Sequence, residues 1–214
     1  MSFIQAFIKN FALISLAFRQ HVLISFTAIL AGVVVAIPFG IFLTNHKKIA
    51  SVVLTIFGVV NTIPSIVLLG VAMMVLGLGF LPAVAVLFLY SLLPIMRATY
   101  TGIIETDPKY LKAARGMGMN SFQVLWLVQI PLAIPAIMTG IRLASVYIIS
   151  WATLASFIGG GGFGDLIWMG LQSYDFGLVL CGAIPATVLS LLVGGLFNVV
   201  IAKCSVHKTE ELSV

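Results

Sequence analysis

Long apolar stretches without charged side chains are the feature that most restricts how this chain can fold. The first of them covers residues 22–44 and contains no Lys, Arg, Asp or Glu. About 20 apolar residues are enough for a helix to cross the hydrocarbon core of a bilayer. Only 8% of the residues are charged, whereas soluble domains carry about 25%. The sequence therefore predicts an all-α polytopic membrane protein.

The apolar stretches divide the chain into a transmembrane domain with two flanking segments. Within residues 21–202 we predict five transmembrane helices, at 21–44, 49–77, 83–104, 125–158 and 177–202. Residues 1–20 mix apolar side chains with Lys9 and Arg19, which indicates an N-terminal amphipathic interfacial helix. A poor extra span is the alternative for that segment. Residues 203–214 form a polar tail.

Basic residues are distributed unequally between the two sides that these spans define. If the polar loop at 105–125 is cytoplasmic, the residues inside or at the border are Lys47, Lys48, Arg97, Lys109, Lys112, Arg115, Lys203 and Lys208. Only Lys9 and Arg19 then lie outside. Cytoplasmic loops carry an excess of Lys and Arg. We therefore expect a multi-pass plasma-membrane protein with the N-terminus outside and the C-terminus cytoplasmic.

The loop that begins at residue 105 is the most polar internal segment of the chain. Asp107 can cap a helix whose first residue is a proline. A glycine turn at 116–118 would end that helix, and Asn120 with Gln123 forms a capping pair for the next one. The pattern predicts a short helix, a turn and a second helix that enters the membrane. It fits either a docking element or an ordinary amphipathic surface helix.

The second apolar stretch is interrupted by polar residues and a proline at 61–65. Proline removes a helical hydrogen bond, and the freed carbonyl must be satisfied inside the protein or at a water-filled cavity. Asn61, Pro64 and Ser65 are therefore candidates for lining a translocation path. A simple kink, satisfied by Thr62 and Ser65, is an equally good interpretation.

The remaining polar candidates lie in the other apolar stretches. A lone arginine such as Arg142 costs about 2.5–3.5 kcal/mol at membrane depth, so we expect it to face protein or water. It either contacts a substrate or pairs with a carbonyl or carboxylate of another helix. Arg97, near the end of a span, is expected to extend to the cytoplasmic surface. Further candidates for the path are Ser150, Thr153 and Ser156.

No residue pattern in this chain indicates catalysis. His21, His46 and His207 are far apart in sequence, and no span contains a pair of carboxylates. Residues 159–164 satisfy the glycine spacing of a dinucleotide site, but they follow an apolar helix, not a strand. An intramembrane enzyme is thus disfavoured, and the absence of buried acids argues against proton-driven transport. We expect no catalytic residue, metal site or cofactor here.

The loop resembles a known motif. Lys112, Ala113, Ala114 and Gly118, with residues 128–131, resemble the "EAA" loop of bacterial ABC-importer permeases, although Lys112 stands where that family has a glutamate. In the family this loop forms a coupling helix that sits in a cleft of the cytoplasmic ATPase. The resemblance implies that the ATPase-coupling residues are Lys112, Ala113, Ala114, Arg115, Gly116 and Gly118.

A narrower resemblance covers most of the chain from residue 56 to residue 170. Residues 61–65, 93–103 and 152–165 are similar to permeases of glycine betaine, carnitine and choline ABC importers. The resemblance implies a type I permease fold in a bacterial plasma membrane. The implied partners are an ATPase dimer that binds ATP and Mg²⁺, a second permease subunit, identical or paralogous, and an extracytoplasmic binding protein. We expect the aromatic cage that selects a quaternary amine in that binding protein.

Two alternatives remain at this point. Methionine-type amino-acid importers have related permeases, and the sequence alone does not separate them from osmoprotectant transporters. An ATP-independent carrier or channel would need no soluble partner, so co-purification of an ATPase distinguishes it.

Overall fold

The computed structural model describes residues 7–210, with side chains to residue 204, and every regular element in that range is helical. Two non-α segments interrupt this pattern, a π turn at Leu125–Gln129 and a 3-10 segment at Ala152–Ile158. The α-helices are α1 (Phe11–Thr44), α2 (Lys47–Thr62), α3 (Ser65–Leu76), α4 (Phe80–Ile104), α5 (Pro108–Gly116), α6 (Ser121–Val124), α7 (Ile130–Trp151), α8 (Phe163–Gln172) and α9 (Phe176–Glu210).

The predicted spans are present in the described residues. Four continuous segments are long and apolar enough to cross a membrane, namely Phe11–Thr44, Phe80–Ile104, Ser121–Ile158 and Phe176–Cys204. The fifth predicted span is the pair α2 and α3, which bends by 94° at its break. The all-α fold expected from the apolar pattern is therefore confirmed, and the fifth crossing depends on counting the bent pair as one span.

The N-terminal boundary differs from the sequence expectation. Helix α1 has 34 residues and passes without a break through Arg19 and Gln20. At 1.5 Å per residue it is about 51 Å long, which exceeds the hydrocarbon thickness of about 30 Å. Within the described residues the helical backbone is interrupted at Asn10 and not near residue 20, and the interfacial role of residues 1–20 stays a prediction. Residues 1–6 and 211–214 lie outside the described residues.

Helices α1 and α4 run parallel and pack closely through small residues. A Cβ at Gly40 would lie 2.8 Å from the Cβ of Thr99, and a Cβ at Gly32 would overlap the side chain of Ser91. Small residues let two transmembrane backbones approach each other in the absence of a hydrophobic driving force. The C-terminal ends of α1 and α4 consequently lie at the same end of the bundle.

Helix α7 packs antiparallel to α4. A Cβ at Gly102 would lie 2.8 Å from that of Ala136, whereas a Cβ at Gly140 would lie 2.9 Å from the carbonyl oxygen of Pro94. Helix α9 returns antiparallel along α7, where the Ser190 hydroxyl is 3.4 Å from the carbonyl oxygen of Val146.

These directions give the bundle two distinct ends. The basic end holds the hairpin at 45–48, the loop at 105–120 and the C-terminal part of α9. The opposite end holds Gly79, which donates to the carbonyl oxygen of Ile158 at 2.8 Å, and the glycine loop at 159–162. The Gln20 side chain accepts from the Gly162 N–H at 3.1 Å, which joins α1 to that loop.

Candidate functional site

The helix predicted in the polar loop forms as its sequence indicates. The Asp107 carboxylate accepts from the Lys109 N–H at 2.9 Å, and Pro108 is the first helical residue. Lys109 also pairs with Asp107, at 3.1 Å between Nζ and Oδ2. The Lys109 N–H and then the Lys109 side chain lower the pKa of the Asp107 carboxyl, so the cap is present at neutral pH and is lost as the pH falls through that lowered value.

A capping box restarts the helix after the glycine turn. Asn120 Oδ1 accepts from the Gln123 N–H and Gln123 Oε1 accepts from the Asn120 N–H, both at 2.9 Å. The segment then continues as the π turn, which precedes Pro131. Within this turn the side-chain amide of Gln129 donates to the Ile103 carbonyl oxygen at 3.2 Å. The end of α4 and the start of α7 are thus joined beside the loop.

The predicted coupling residues form one exposed surface, apart from one buried anchor. Five of them are exposed, namely Lys112, Ala113, Arg115, Gly116 and Gly118. Ala114 is buried, with only 1% of its surface exposed. Its carbonyl oxygen accepts from the Met119 N–H at 3.2 Å, which closes the turn back onto the helix. Met117 is 70% exposed between these residues. The surface therefore combines positive charge with an apolar side chain.

The polar break at 61–65 is a sharp bend with one strong anchor. Helix α2 ends at Thr62, and the chain re-enters a helix after Pro64. The Tyr90 hydroxyl donates to the Ile63 carbonyl oxygen. The Ile63 N–H bonds to the Val60 carbonyl oxygen, and the Thr62 hydroxyl donates to the Val59 carbonyl oxygen at 2.7 Å, so Thr62 satisfies a carbonyl at the end of α2 as the kink interpretation proposed. The partner at the bend comes from α4 and was not predicted.

Two cavities meet at this bend. The bend cavity, of about 410 Å³, is lined by Asn61, Thr62, Ile63, Pro64, Ser65, Ile66, Tyr90, Trp151 and Leu154. The arginine cavity, of about 630 Å³, lies nearer the basic end and is lined by Asn61, Leu93, Pro94, Arg97, Ala98, Thr101, Thr139, Gly140, Leu143, Tyr147 and Trp151. Asn61 and Trp151 line both cavities and therefore mark the boundary between them.

The other predicted path residues line neither cavity. Ser150, Thr153 and Ser156 donate to carbonyl oxygens of their own segment, at 2.9, 2.8 and 3.0 Å. Arg142 is half-buried, and its guanidinium has no hydrogen bond or ion pair within residues 7–204. The partner on another helix that the sequence suggested for Arg142 is therefore not found in the described part of this chain. The structure brings Asn61, Pro64 and Ser65 together.

Sequence reasoning missed three aromatic residues beside the bend. The rings of Tyr90 and Trp151 meet edge-on with centroids 4.8 Å apart, and Tyr147 stacks on Trp151 at 5.7 Å. Tyr147 and Trp151 are four positions apart on α7, which places them on one helical face. That spacing was a usable signal, but it did not indicate which face points toward α2.

Residues 28–205 match the family model described as binding-protein-dependent transport system inner membrane component. The chain belongs to this family. Membership confirms the permease resemblance drawn from the loop and the spans, and it places the chain among multi-pass membrane components of transport systems.

Several curated relatives are similar along most of their length. The chain is 48% identical over 174 residues to a carnitine transport permease protein, OpuCB, of Listeria monocytogenes, covering 81% of this chain and 80% of that protein. With the same coverage of both chains, it is 46% identical to a glycine betaine/carnitine/choline transport system permease protein, OpuCB, of Bacillus subtilis (strain 168). It is 45% identical to a choline transport system permease protein, OpuBB, of Bacillus subtilis (strain 168).

Solved structures share the fold at low identity. An inward-facing MetNI methionine ABC transporter aligns with a TM-score of 0.80 and 18% identity, covering 92% of this chain and 98% of that one. An amino acid ABC transporter crystallised with histidines aligns with a TM-score of 0.80 and 21% identity, covering 95% and 99%. These similarities confirm the expected fold of an ABC-importer permease.

Proposed function

We propose that this chain is the transmembrane permease subunit of an ATP-driven importer for quaternary amine osmoprotectants such as glycine betaine, carnitine and choline. The observation that carries the proposal is the 45–48% identity, over about four fifths of each chain, to permeases named for these substrates. The methionine-type alternative shares only the fold, at 18% identity.

The exposed surface of the polar loop is suited to transmitting force from a partner protein. Helix α5 and its C-cap residue Met117 present Lys112, Arg115 and the Met117 side chain to the outside of the bundle. The Gln129–Ile103 hydrogen bond joins the segment behind this surface to the end of α4. A push on α5 therefore reaches two spanning helices through short, directly bonded connections. In the proposal, a cytoplasmic ATPase dimer, which binds ATP and Mg²⁺, contacts this surface.

The distribution of charge supports the proposed orientation. Lys47, Lys48, Lys109, Lys112 and Arg115 are exposed at the basic end. Because basic loops remain in the cytoplasm, this end faces the ATPase and the N-terminus faces outside. The opposite end would then receive substrate from an extracytoplasmic binding protein.

The path in this proposal passes the bend at Pro64. Asn61, Pro64 and Ser65 line the bend cavity, and Asn61 also lines the cavity on the basic side. A second permease subunit, identical or paralogous, would close the open sides of these cavities. ATP binding moves the coupling helices and opens the path outward, and hydrolysis returns it to the inward-open state.

The test is purification of the intact complex followed by substrate binding and transport. We expect an ATPase and a binding protein to co-purify, and the binding protein to bind glycine betaine, carnitine or choline but not methionine. Binding of methionine alone would favour the amino-acid alternative. Transport by the isolated chain without an ATPase would contradict the proposal and support a carrier or channel.

A further inference from the structure

The arginine cavity has an aromatic wall at its far side. Tyr147 is 45% exposed, and its ring stacks on that of Trp151, with an angle of 23° between their planes. The faces of Trp and Tyr attract cations within about 6 Å of the ring centre, and quaternary ammonium groups are recognised in this way. This end of the cavity is therefore suited to a trimethylammonium group.

Arg97 lies at the other side of the same cavity. Its side chain is exposed, and its guanidinium has no hydrogen bond or ion pair within residues 7–204. The Asp and Glu residues of the chain are Glu105, Asp107, Asp165, Asp175, Glu210 and Glu211, and none of them lines the cavity. An unpaired guanidinium at the edge of this cavity is free to form a charge-assisted hydrogen bond with a bound anion.

Arg97 and the aromatic wall of the cavity are separated by a distance that a small molecule can bridge. Gly140 packs against Pro94 and Ala98, so it marks the level of Arg97 on the neighbouring helix. Tyr147 is seven residues further along α7, which is about 10 Å along the helix axis. Because the helices are antiparallel and Cβ atoms tilt toward the helix N-terminus, the two side chains start out leaning toward each other.

We propose that the arginine cavity is a binding site for zwitterionic quaternary ammonium carboxylates during translocation. Tyr147 and Trp151 hold the trimethylammonium group, and the Arg97 guanidinium holds the carboxylate. The inference rests on the proposed function, since it assumes that quaternary amines pass through this chain. The volume of the arginine cavity, about 630 Å³, lies in the ordinary range for small-molecule sites.

The site distinguishes substrates that share the ammonium group. Glycine betaine and carnitine carry a carboxylate and use both ends of the cavity. Choline carries a hydroxyl instead, so Arg97 offers it no ion pair and repels its positive charge. Removing the charge of Arg97 should therefore change the relative transport of these substrates.

The experiment is ATP-driven uptake in proteoliposomes that contain the whole complex. Radiolabelled glycine betaine, carnitine and choline are compared for the wild type, Arg97→Gln and Arg97→Lys. We expect Arg97→Gln to lower the ratio of carboxylate to choline uptake by about tenfold, as the loss of one charge-assisted hydrogen bond does. Arg97→Lys should retain part of the ratio. Because the ratio is taken within one preparation, it does not depend on the amount of folded complex.

Arg19→Gln is the matched control, because it removes an exposed arginine of α1 that lines neither the bend cavity nor the arginine cavity. Its substrate ratio should equal that of the wild type. An unchanged ratio in Arg97→Gln, or an equal change in both variants, would overturn the site. If the wild type transports only zwitterions, the readout becomes uptake per ATP hydrolysed, which Arg97→Gln should lower about tenfold. An unchanged value would overturn the site.

The aromatic end is tested by Trp151→Phe and Trp151→Leu, with Trp168→Leu as the control for loss of an indole elsewhere. We expect Trp151→Leu to lower uptake of all three amines several-fold more than Trp151→Phe does. Equal uptake by both variants would contradict the cation–π role. A wild-type complex that transports none of the amines refutes the proposed function, whereas a transporting complex that is indifferent to Arg97 refutes the site alone.

Discussion

The Tyr90 hydroxyl on α4 donates a hydrogen bond to the carbonyl oxygen of Ile63, the residue immediately before Pro64. Tyr90 is 2% exposed, so this bond fixes the bend of α2 and α3 onto a helix of the core. A buried carbonyl without a donor is costly in a bilayer, where no water replaces the lost bond.

Tyr90→Phe should destabilise the protein by about 1–2 kcal/mol, because it removes this donor and leaves the Ile63 carbonyl oxygen unpaired. Unfolding in a denaturing detergent titration measures the change. Tyr100→Phe is the control, because Tyr100 is partly buried but its hydroxyl forms no hydrogen bond within the described residues. Equal stability of the two variants would show that the bend does not depend on Tyr90.

His21 joins α1 to α7 near the end of the bundle that lies opposite the basic end. Its ring is fully buried, and its centroid lies 5.0 Å from that of the Phe163 ring. The Nε2 atom lies 2.9 Å from the Ile149 carbonyl oxygen. Since a carbonyl only accepts, Nε2 carries the proton.

His21→Leu should lower the free energy of unfolding by about 1–3 kcal/mol, because the bond to Ile149 is lost. His46→Leu should cost less than His21→Leu, because His46 is exposed and its contacts, a 3.2 Å hydrogen bond to the Phe42 carbonyl oxygen and a stack on the Phe42 ring, lie within one helical turn. The same detergent titration compares the two variants. A larger loss in His46→Leu would contradict this assignment.

Gly140 allows α4 and α7 to approach closely. Gly140→Ala should cost about 1–3 kcal/mol, because the new methyl group would press on the Pro94 carbonyl oxygen and on the Ala98 side chain. Gly195→Ala is the control, since no atom lies within 4 Å of its added Cβ. That change should be neutral or stabilise by up to about 1 kcal/mol through helix propensity. Thermal unfolding in detergent distinguishes the two outcomes.

The glycine turn of the loop contains a further matched pair. Gly118 has a φ of +82°, whereas Gly116 is helical, and neither has an atom within 4 Å of an added Cβ. Gly118→Ala strains the backbone by about 1–2 kcal/mol, and Gly116→Ala does not. We expect Gly118→Ala to lower ATP-driven uptake about fivefold while Gly116→Ala retains it. Undiminished uptake in Gly118→Ala would count against coupling through this loop.

The sequence predicted the elements whose signals are local. The Asp107 cap, the Asn120–Gln123 capping box and the break at Pro64 each depend on residues within a few positions of one another. All three are present in the structure. The apolar runs predicted the spans for the same reason, because composition over about 20 residues decides membrane insertion.

Features that join distant parts of the chain were not predictable in this way. Tyr90 and Ile63 are 27 positions apart, and His21 and Ile149 are 128 positions apart. No residue pattern near Arg97 indicates that it shares a cavity with Tyr147. The continuity of α1 through Arg19 was also not predicted, because Lys9 and Arg19 made residues 1–20 resemble an amphipathic interfacial helix, and that assignment stays a prediction.

The most direct test of the central claim is uptake of radiolabelled glycine betaine into proteoliposomes that contain this chain with its co-purified ATPase, second permease and binding protein. We predict accumulation against a gradient when ATP is supplied on the side of the basic end, and none with a non-hydrolysable ATP analogue. Equal uptake with and without hydrolysable ATP, or uptake that persists after the ATPase is removed, would contradict the account.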